Sequence, residues 1–298
     1  VSLPEPAVEL TPRQAAAAIE AVLLGGLDPE GCPARLGVPV PAGELLVMPA
    51  ATERYAGVKV AGVAPANPGR GLPRITGSYL LLDGATLVPL ALLDGMALTT
   101  LRTPAVTALA LDRLAAPDAA HLVLFGAGPQ AYGHLAALAA VRPLRRVTVV
   151  ARRPVPELLA FAASLGLAAE QGGPDAVAGA DLVVCCTTAH EPLFDGALVA
   201  DHAAVAAVGS HSLTGREVDT VLVQRSACYT EARAVARREA GDLVLGGADW
   251  ASVANLAELV TGTAAVPTDR PRFFKSVGMA WEDLAVAAAV HERAAAGA

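Results

Sequence analysis

Gly126, Gly128 and Ala131 in VLFGAGPQA stand directly after an apolar run and open a helix-like one. This is the G-x-G-x-x-G/A spacing. The first glycine permits a tight turn, the second lets the backbone approach a pyrophosphate, and the small third residue allows close helix packing while the helix N-terminus faces the anion. The whole turn, Gly126, Ala127, Gly128, Pro129, Gln130 and Ala131, is a candidate dinucleotide-binding segment. The next apolar run, VTVVA, ends at Ala151 and is followed by Arg152 and Arg153. An acid at that place binds a ribose 2′-hydroxyl and repels a 2′-phosphate; two cations favour NADPH, with NADH as the alternative cofactor and a solvated basic loop as the plainer reading.

A second candidate is His211, set between two serines in AAVGSHSLTGREVD. An imidazole titrating near its ordinary value of about 6.5 is able to position or protonate a nitrogen, or to serve as a neutral hydrogen-bonding group that shapes a loop. Among the other cations, Arg35 lies in PARLGVPV, Lys59 in GVKVAG and Arg102 in LRTPA. Read alone, Arg35 is a solvated loop charge and Lys59 an outward strand residue.

The elements that must position these groups fall into two styles. TPRQAAAAIEAVLLGG predicts a helix, with Thr11 as cap, Pro12 in the first turn, Gln14 completing a capping box and Gly25–Gly26 ending it. From Gly43 to Asp94 the grammar is that of strands, with SYLLL and LVPLALL joined as a hairpin by DGAT. MALTTLRTPAVTALALDRLAA is helical, with Pro104 either starting a new helix or kinking a longer one. HLVLFG, RRVTVVA, ADLVVCCTT and AAVAAVGSHS then alternate with helix-like segments, which implies βαβ units and a parallel sheet. FFKSVG reads in isolation as a strand-end loop, and GMAWEDLAVAAAVHERAAAGA as one long helix.

Bulk properties exclude several classes. A chain of 298 residues has room for about two domains, and its net charge of -7 leaves no basic excess for nucleic acid. Leu122 to Val141 lacks any Asp, Glu, Lys or Arg, yet its glycines and proline suit a turn between two elements rather than a membrane span. VSLPEPAVEL shows no secretory signal, and Cys32, Cys185, Cys186 and Cys228 lack metal-type spacing, so a cytoplasmic protein with reduced thiols and no metal is expected.

Together these segments resemble the ornithine cyclodeaminase and mu-crystallin family across nearly the whole chain. The matching stretches are PARLGVPV, LVMPA, GVKVAGVAPANPGRGLP, LVPLALLDGMALTTLRTPAVTALA, FGAGPQA, ADLVVCCTT, AVGSHSLTGREVD and FFKSVGMAWEDLAVA. The resemblance implies an α/β fold: a doubly wound Rossmann sheet, residues 113–277, inserted in an α+β substrate-binding and dimerisation domain made of 1–112 plus 278–298. It implies a homodimer. It makes Arg35 and Arg102 the pair that holds a substrate carboxylate, with Lys59 against the same substrate. It places Lys275, Ser276, Val277 and Gly278 in a loop near the nicotinamide, and Thr187 and Val208 are expected to join Ser276, Val277 and Gly278 as cofactor contacts.

One departure falls at the chemistry. Where cyclodeaminases carry GAD-x-PGK-x-E-L-D, this chain has GSHSLTGREVD: Glu217 and Asp219 are retained, the aspartate is His211 and the lysine is Gly215. A buried ammonium without its counter-ion costs on the order of several kcal/mol, roughly a thousandfold or more in binding. Ornithine cyclisation is thereby disfavoured unless another acid, such as Glu53, reaches the site. The expected activity is NADPH-dependent reduction of pyrroline-2-carboxylate or piperideine-2-carboxylate to proline or pipecolate, with Lys59 and His211 as the catalytic candidates. The alternatives are an amino-acid dehydrogenase, an ornithine or lysine cyclodeaminase, and a non-catalytic ligand-binding protein.

Overall fold

The computed structural model describes residues 3–297 and divides into two compact units. One runs through Arg102 and resumes at Met279; the other is Thr103–Gly278. No helix among the described residues is long and apolar enough to cross a membrane.

The first unit begins with α1 (Pro12–Leu24), whose capping box forms as its sequence requires: Thr11 Oγ1 accepts from the Gln14 amide at 3.3 Å and the Gln14 side chain accepts from the Thr11 amide at 2.9 Å. Five antiparallel strands follow in simple order, β1 (Leu36–Val40), β2 (Gly43–Ala51), β3 (Tyr55–Val63), β4 (Ile75–Asp83) and β5 (Pro89–Asp94). Alternation puts Met48, Lys59, Tyr79 and Leu93 in one row across β2 to β5, and all four are buried. Lys59 therefore faces inward, against the outward reading of its strand taken alone. The C-terminal helix, closing the chain, buries Trp281, Leu284 and Val286 and packs on β2, β3 and β4.

α2 (Gly95–Leu114) is one helix that runs through Pro104. The second unit then builds an eight-stranded sheet whose pairings are all parallel, in the order β12-β11-β13-β10-β9-β6-β7-β8. Its strands and helices are β6 (His121–Phe125), α3 (Pro129–Val141), β7 (Arg146–Val150), α4 (Pro156–Ser164), β8 (Ala168–Gln171), β9 (Leu182–Cys185), β10 (Ala204–Ala207), α5 (Thr220–Arg225), β11 (Ala227–Thr230), α6 (Arg233–Glu239), α7 (Gly241–Leu245), β12 (Ala254–Asn255), α8 (Leu256–Val260) and β13 (Arg272–Lys275). The last helix, α9, is Ala280–Gly297.

FFKSVG divides at Lys275: residues 272–275 form a fully buried interior strand between β11 and β10, so Lys275 belongs to the strand, and 276–279 are the loop that ends it. The strand carries a charge at each end: Arg272 satisfies the carbonyls of Leu114, Asp201 and His202, and Lys275 is buried in an ion pair. A strand with both faces covered shows no alternation to read.

Candidate functional site

The strand order reverses between β6 and β9: the chain leaves β6 for β7 and β8 on one side, and β9 and β10 lie on the other. Ligands in open parallel sheets bind at such a switch point, beyond the carboxyl ends of the strands. The glycine turn lies there. Gly126 has φ +108°, and a Cβ on it would stand 2.6 Å from the Cys186 carbonyl oxygen, so both conformation and space require glycine. A Cβ on Gly128 would meet nothing within 4 Å. Gly128 caps α3 without a side-chain hydrogen bond to the first-turn amides.

That open side belongs to a cavity of about 1310 Å³ lined by Gly126, Ala127, Gly128, Arg152, Arg153 and Thr187, among others. Gln171 steadies the basic loop, donating from Nε2 to the carbonyls of Ala151 and Arg153 at 3.2 and 3.0 Å. A helix N-terminus without a side-chain cap, two glycines and two exposed guanidinium groups suit a phosphorylated dinucleotide. Ala131 is buried beneath the turn, where its small side chain allows close packing. Pro129 and Gln130 form the first turn of α3, and the Gln130 carbonyl accepts from His134 Nδ1 at 2.7 Å.

The other carboxyl-end loops are tied together by buried charge. Glu217 accepts from the Thr187 amide and hydroxyl at 2.8 and 2.7 Å and from the Gly209 amide at 2.7 Å. Burial pushes the Glu217 pKa up, opposed by Lys275 and by these hydrogen bonds. Asp242 accepts from the Glu217 and Val218 amides and pairs with Lys275 Nζ at 2.9 Å; Lys275 also donates to the Ser210 carbonyl at 2.7 Å. Asp219 has a separate, structural task, capping α5 through the Leu222 amide. His211 is exposed in the loop that this network anchors. Val208 donates its amide to Cys185, Ser276 to Ala207, and Val277 and Gly278 both donate to the Glu231 carboxylate. The amides of these four expected cofactor contacts are thus engaged within the protein.

In the first unit, β3, α2 and α9 bring two of the three candidate carboxylate-binding cations together. Lys59 Nζ lies 2.6 Å from Asp283 Oδ2, and Arg102 pairs with Glu282 at 2.7 Å and with Asp283 Oδ1 at 3.4 Å. The two acids are fully buried, while Lys59 and Arg102 are 4% and 6% exposed. Arg35 is half-buried immediately before β1, and Glu53 is exposed. A lone buried cation is costly; the acidic pair in the first turn of α9 neutralises both and fixes their directions. Sequence reasoning missed Glu282 and Asp283, although two adjacent acids in the first turn of a helix, followed by seven apolar residues, are the signal that was there. Such a cluster is able to orient a small acid by its carboxylate.

The comparisons with known proteins agree with this architecture. Over 258 residues the chain is 36% identical to Delta(1)-pyrroline-2-carboxylate reductase 2 of Burkholderia ambifaria, covering 85% of this chain and 82% of that protein. It is 34% identical to the ketimine reductase mu-crystallin of Rattus norvegicus, covering 87% and 84%. The structure of Thermococcus litoralis Delta(1)-pyrroline-2-carboxylate reductase in complex with NADH and L-proline superposes with a TM-score of 0.89 at 28% identity, covering 97% of this chain and 94% of that one. The family model for the ornithine cyclodeaminase/mu-crystallin family matches residues 24–298, and the chain belongs to that family.

Proposed function

We propose that the protein is an NAD(P)H-dependent reductase of cyclic imino acids, converting pyrroline-2-carboxylate or piperideine-2-carboxylate to proline or pipecolate. Three observations support the reading: relatives at 36% identity carry the name pyrroline-2-carboxylate reductase, the glycine turn opens on a cavity of dinucleotide size, and Lys59 and Arg102 share one buried carboxylate. The last carries the substrate assignment.

A reduced nicotinamide supplies the hydride. The turn from Gly126 to Ala131 and Thr187 hold the dinucleotide, and Arg152 and Arg153 favour the 2′-phosphate of NADPH, with NADH also accepted. Arg102 and Lys59, with Arg35, hold the substrate carboxylate, so that the imine carbon is fixed for reduction. Reduction at that carbon would leave the C=N π pair on the ring nitrogen, which one proton would complete as the cyclic secondary amine. His211 is a donor for that proton. With histidine where cyclodeaminases have aspartate, no carboxylate at that position meets a second substrate ammonium, so direct reduction is favoured over ornithine cyclisation.

The acting form is a homodimer in the cytoplasm. Its support is the outer face of the antiparallel sheet, where Leu36, Val38 and Val60 are 59%, 39% and 39% exposed on the side opposite Lys59. Free cysteines agree with a reducing compartment.

Purified protein should oxidise NADPH with either cyclic imine between mildly acidic and neutral pH, and should release no ammonia from ornithine. No oxidation with either imine would overturn the proposal. Sedimentation should give twice the chain mass; a monomer at micromolar concentration would remove the dimer.

A further inference from the structure

The chain contains only two lysines, Lys59 and Lys275, its other strongly basic side chains being arginine. Both are buried and paired with aspartate, although lysine is ordinarily a surface residue. Arginine does not give up its proton in proteins and lysine does, so the chain keeps its two titratable side-chain amines in its interior. Lys275 joins the loops of the parallel sheet, between Asp242 and the Ser210 carbonyl. Lys59 is placed differently.

Its surroundings come from three elements: Asp283 and Glu282 on α9, Arg102 and Thr99 on α2, and Tyr79 beside it on β4. Nζ donates to Asp283 Oδ2 at 2.6 Å and to Thr99 Oγ1 at 3.1 Å, and the Thr99 hydroxyl in turn donates to the Gly95 carbonyl. Two partners on different elements thereby fix the direction of the ammonium. Burial pushes the Lys59 pKa down and Arg102 adds to that; Asp283, by charge and by hydrogen bond, opposes it, with Glu282 assisting. The Tyr79 ring covers Gly57, where a Cβ would lie 2.3 Å from the phenol oxygen, and keeps this side of the cluster closed.

We infer that Asp283 is a positioning residue for Lys59: its carboxylate keeps the buried ammonium protonated and aimed, and through Lys59 it sets the alkaline limit of substrate binding. The inference rests on the proposed role of Lys59 in holding the substrate carboxylate. Asp283 is itself fully buried and acts through its neighbour.

Two lysines make a direct test practical. Protein labelled with carbon-13 at lysine Cε gives two side-chain signals, and Lys59→Arg assigns them by removing one. In the native protein the Lys59 signal should titrate below that of a free lysine, yet still hold its charged position at pH 7. In Asp283→Asn it should titrate lower by about one unit or more, the size expected for losing an adjacent opposite charge. Asp283→Glu should restore most of the difference. The alkaline limb of kcat/KM for the imine should move with the signal, through KM rather than kcat. A Lys59 signal that titrates below pH 7 in the native protein overturns the inference without any variant, as does an identical titration in Asp283→Asn. If the signal behaves as expected while no cyclic imine is reduced, only the substrate reading falls.

Discussion

The Glu217 carboxylate accepts a hydrogen bond from the backbone amide of Gly209 at 2.7 Å, eight residues back along the chain. Its other oxygen takes both the amide and the hydroxyl of Thr187, so one buried side chain joins the loops that leave β9 and β10. Gly209 is required for this closeness, because a Cβ there would lie 1.9 Å from the Thr187 carbonyl oxygen. Glu217→Gln turns one acceptor into a donor facing an N–H and removes a negative charge near Lys275. The expected loss is about 2–4 kcal/mol of unfolding free energy, given the cost of unsatisfied buried groups and broken charge clusters. Urea unfolding measures it, and a loss within experimental error would show that the loops are held by packing alone.

Arg102 serves two acids at once, Glu282 through Nη1 and Asp283 through Nε. Arg102→Lys keeps the charge but not the planar fork, so it separates orientation from neutralisation. Losing one charge-assisted hydrogen bond is worth about 1.5–3 kcal/mol, or roughly 10- to 100-fold in kcat/KM for the imine. Cofactor affinity, read by quenching of protein fluorescence, should change little. A parallel loss of both would move Arg102 out of the substrate site.

Local rules were legible where local chemistry decides. The Thr11–Gln14 capping box and the Gly126 turn each depend on a few neighbouring residues, and both are present as their sequences require. Lys59 was different: its strand is apolar on both sides, so alternation alone gave no sign that the lysine faced inward. Its burial depends on Asp283, which lies 224 positions away in sequence. The ends of β13 likewise depend on remote groups, since Arg272 and Lys275 are satisfied by carbonyls and by Asp242 that the fold brings near. Partners remote in sequence leave only indirect marks, such as the adjacent acids Glu282 and Asp283 ahead of an apolar run in α9.

Arg152 and Arg153 follow β7 at the edge of the cavity, and Ala151 stands where an acid would guard the ribose. Replacing both arginines by alanine should raise KM for NADPH by roughly tenfold or more, from the loss of one or two charge-assisted phosphate contacts. KM for NADH, which offers no such phosphate, should stay within about twofold. Steady-state kinetics with each cofactor gives the ratio directly. An unchanged ratio would assign the pair to a solvated loop.

His134 lies fully buried in α3 beneath the glycine turn. The Gln130 carbonyl can only accept, so Nδ1 carries the proton and donates at 2.7 Å, while Nε2 accepts from the Thr107 hydroxyl at 3.0 Å. Burial holds the ring neutral and pushes its pKa down from 6.5 to about 4, partly offset by the Gln130 bond. Between those two values the unfolded chain binds a proton that the folded chain does not. Stability from this group is complete above pH 6.5 and is lost as pH falls toward 4, a change of about 3 kcal/mol for a shift of that size. His134→Gln keeps hydrogen-bonding groups but has nothing to titrate. At pH 7 the native protein should be the more stable of the two, and the gap in urea midpoint should narrow steadily between pH 6.5 and 4.5. A gap independent of pH would mean that the ring is not held neutral, and the first turn of α3 would then have to be fixed by some other contact.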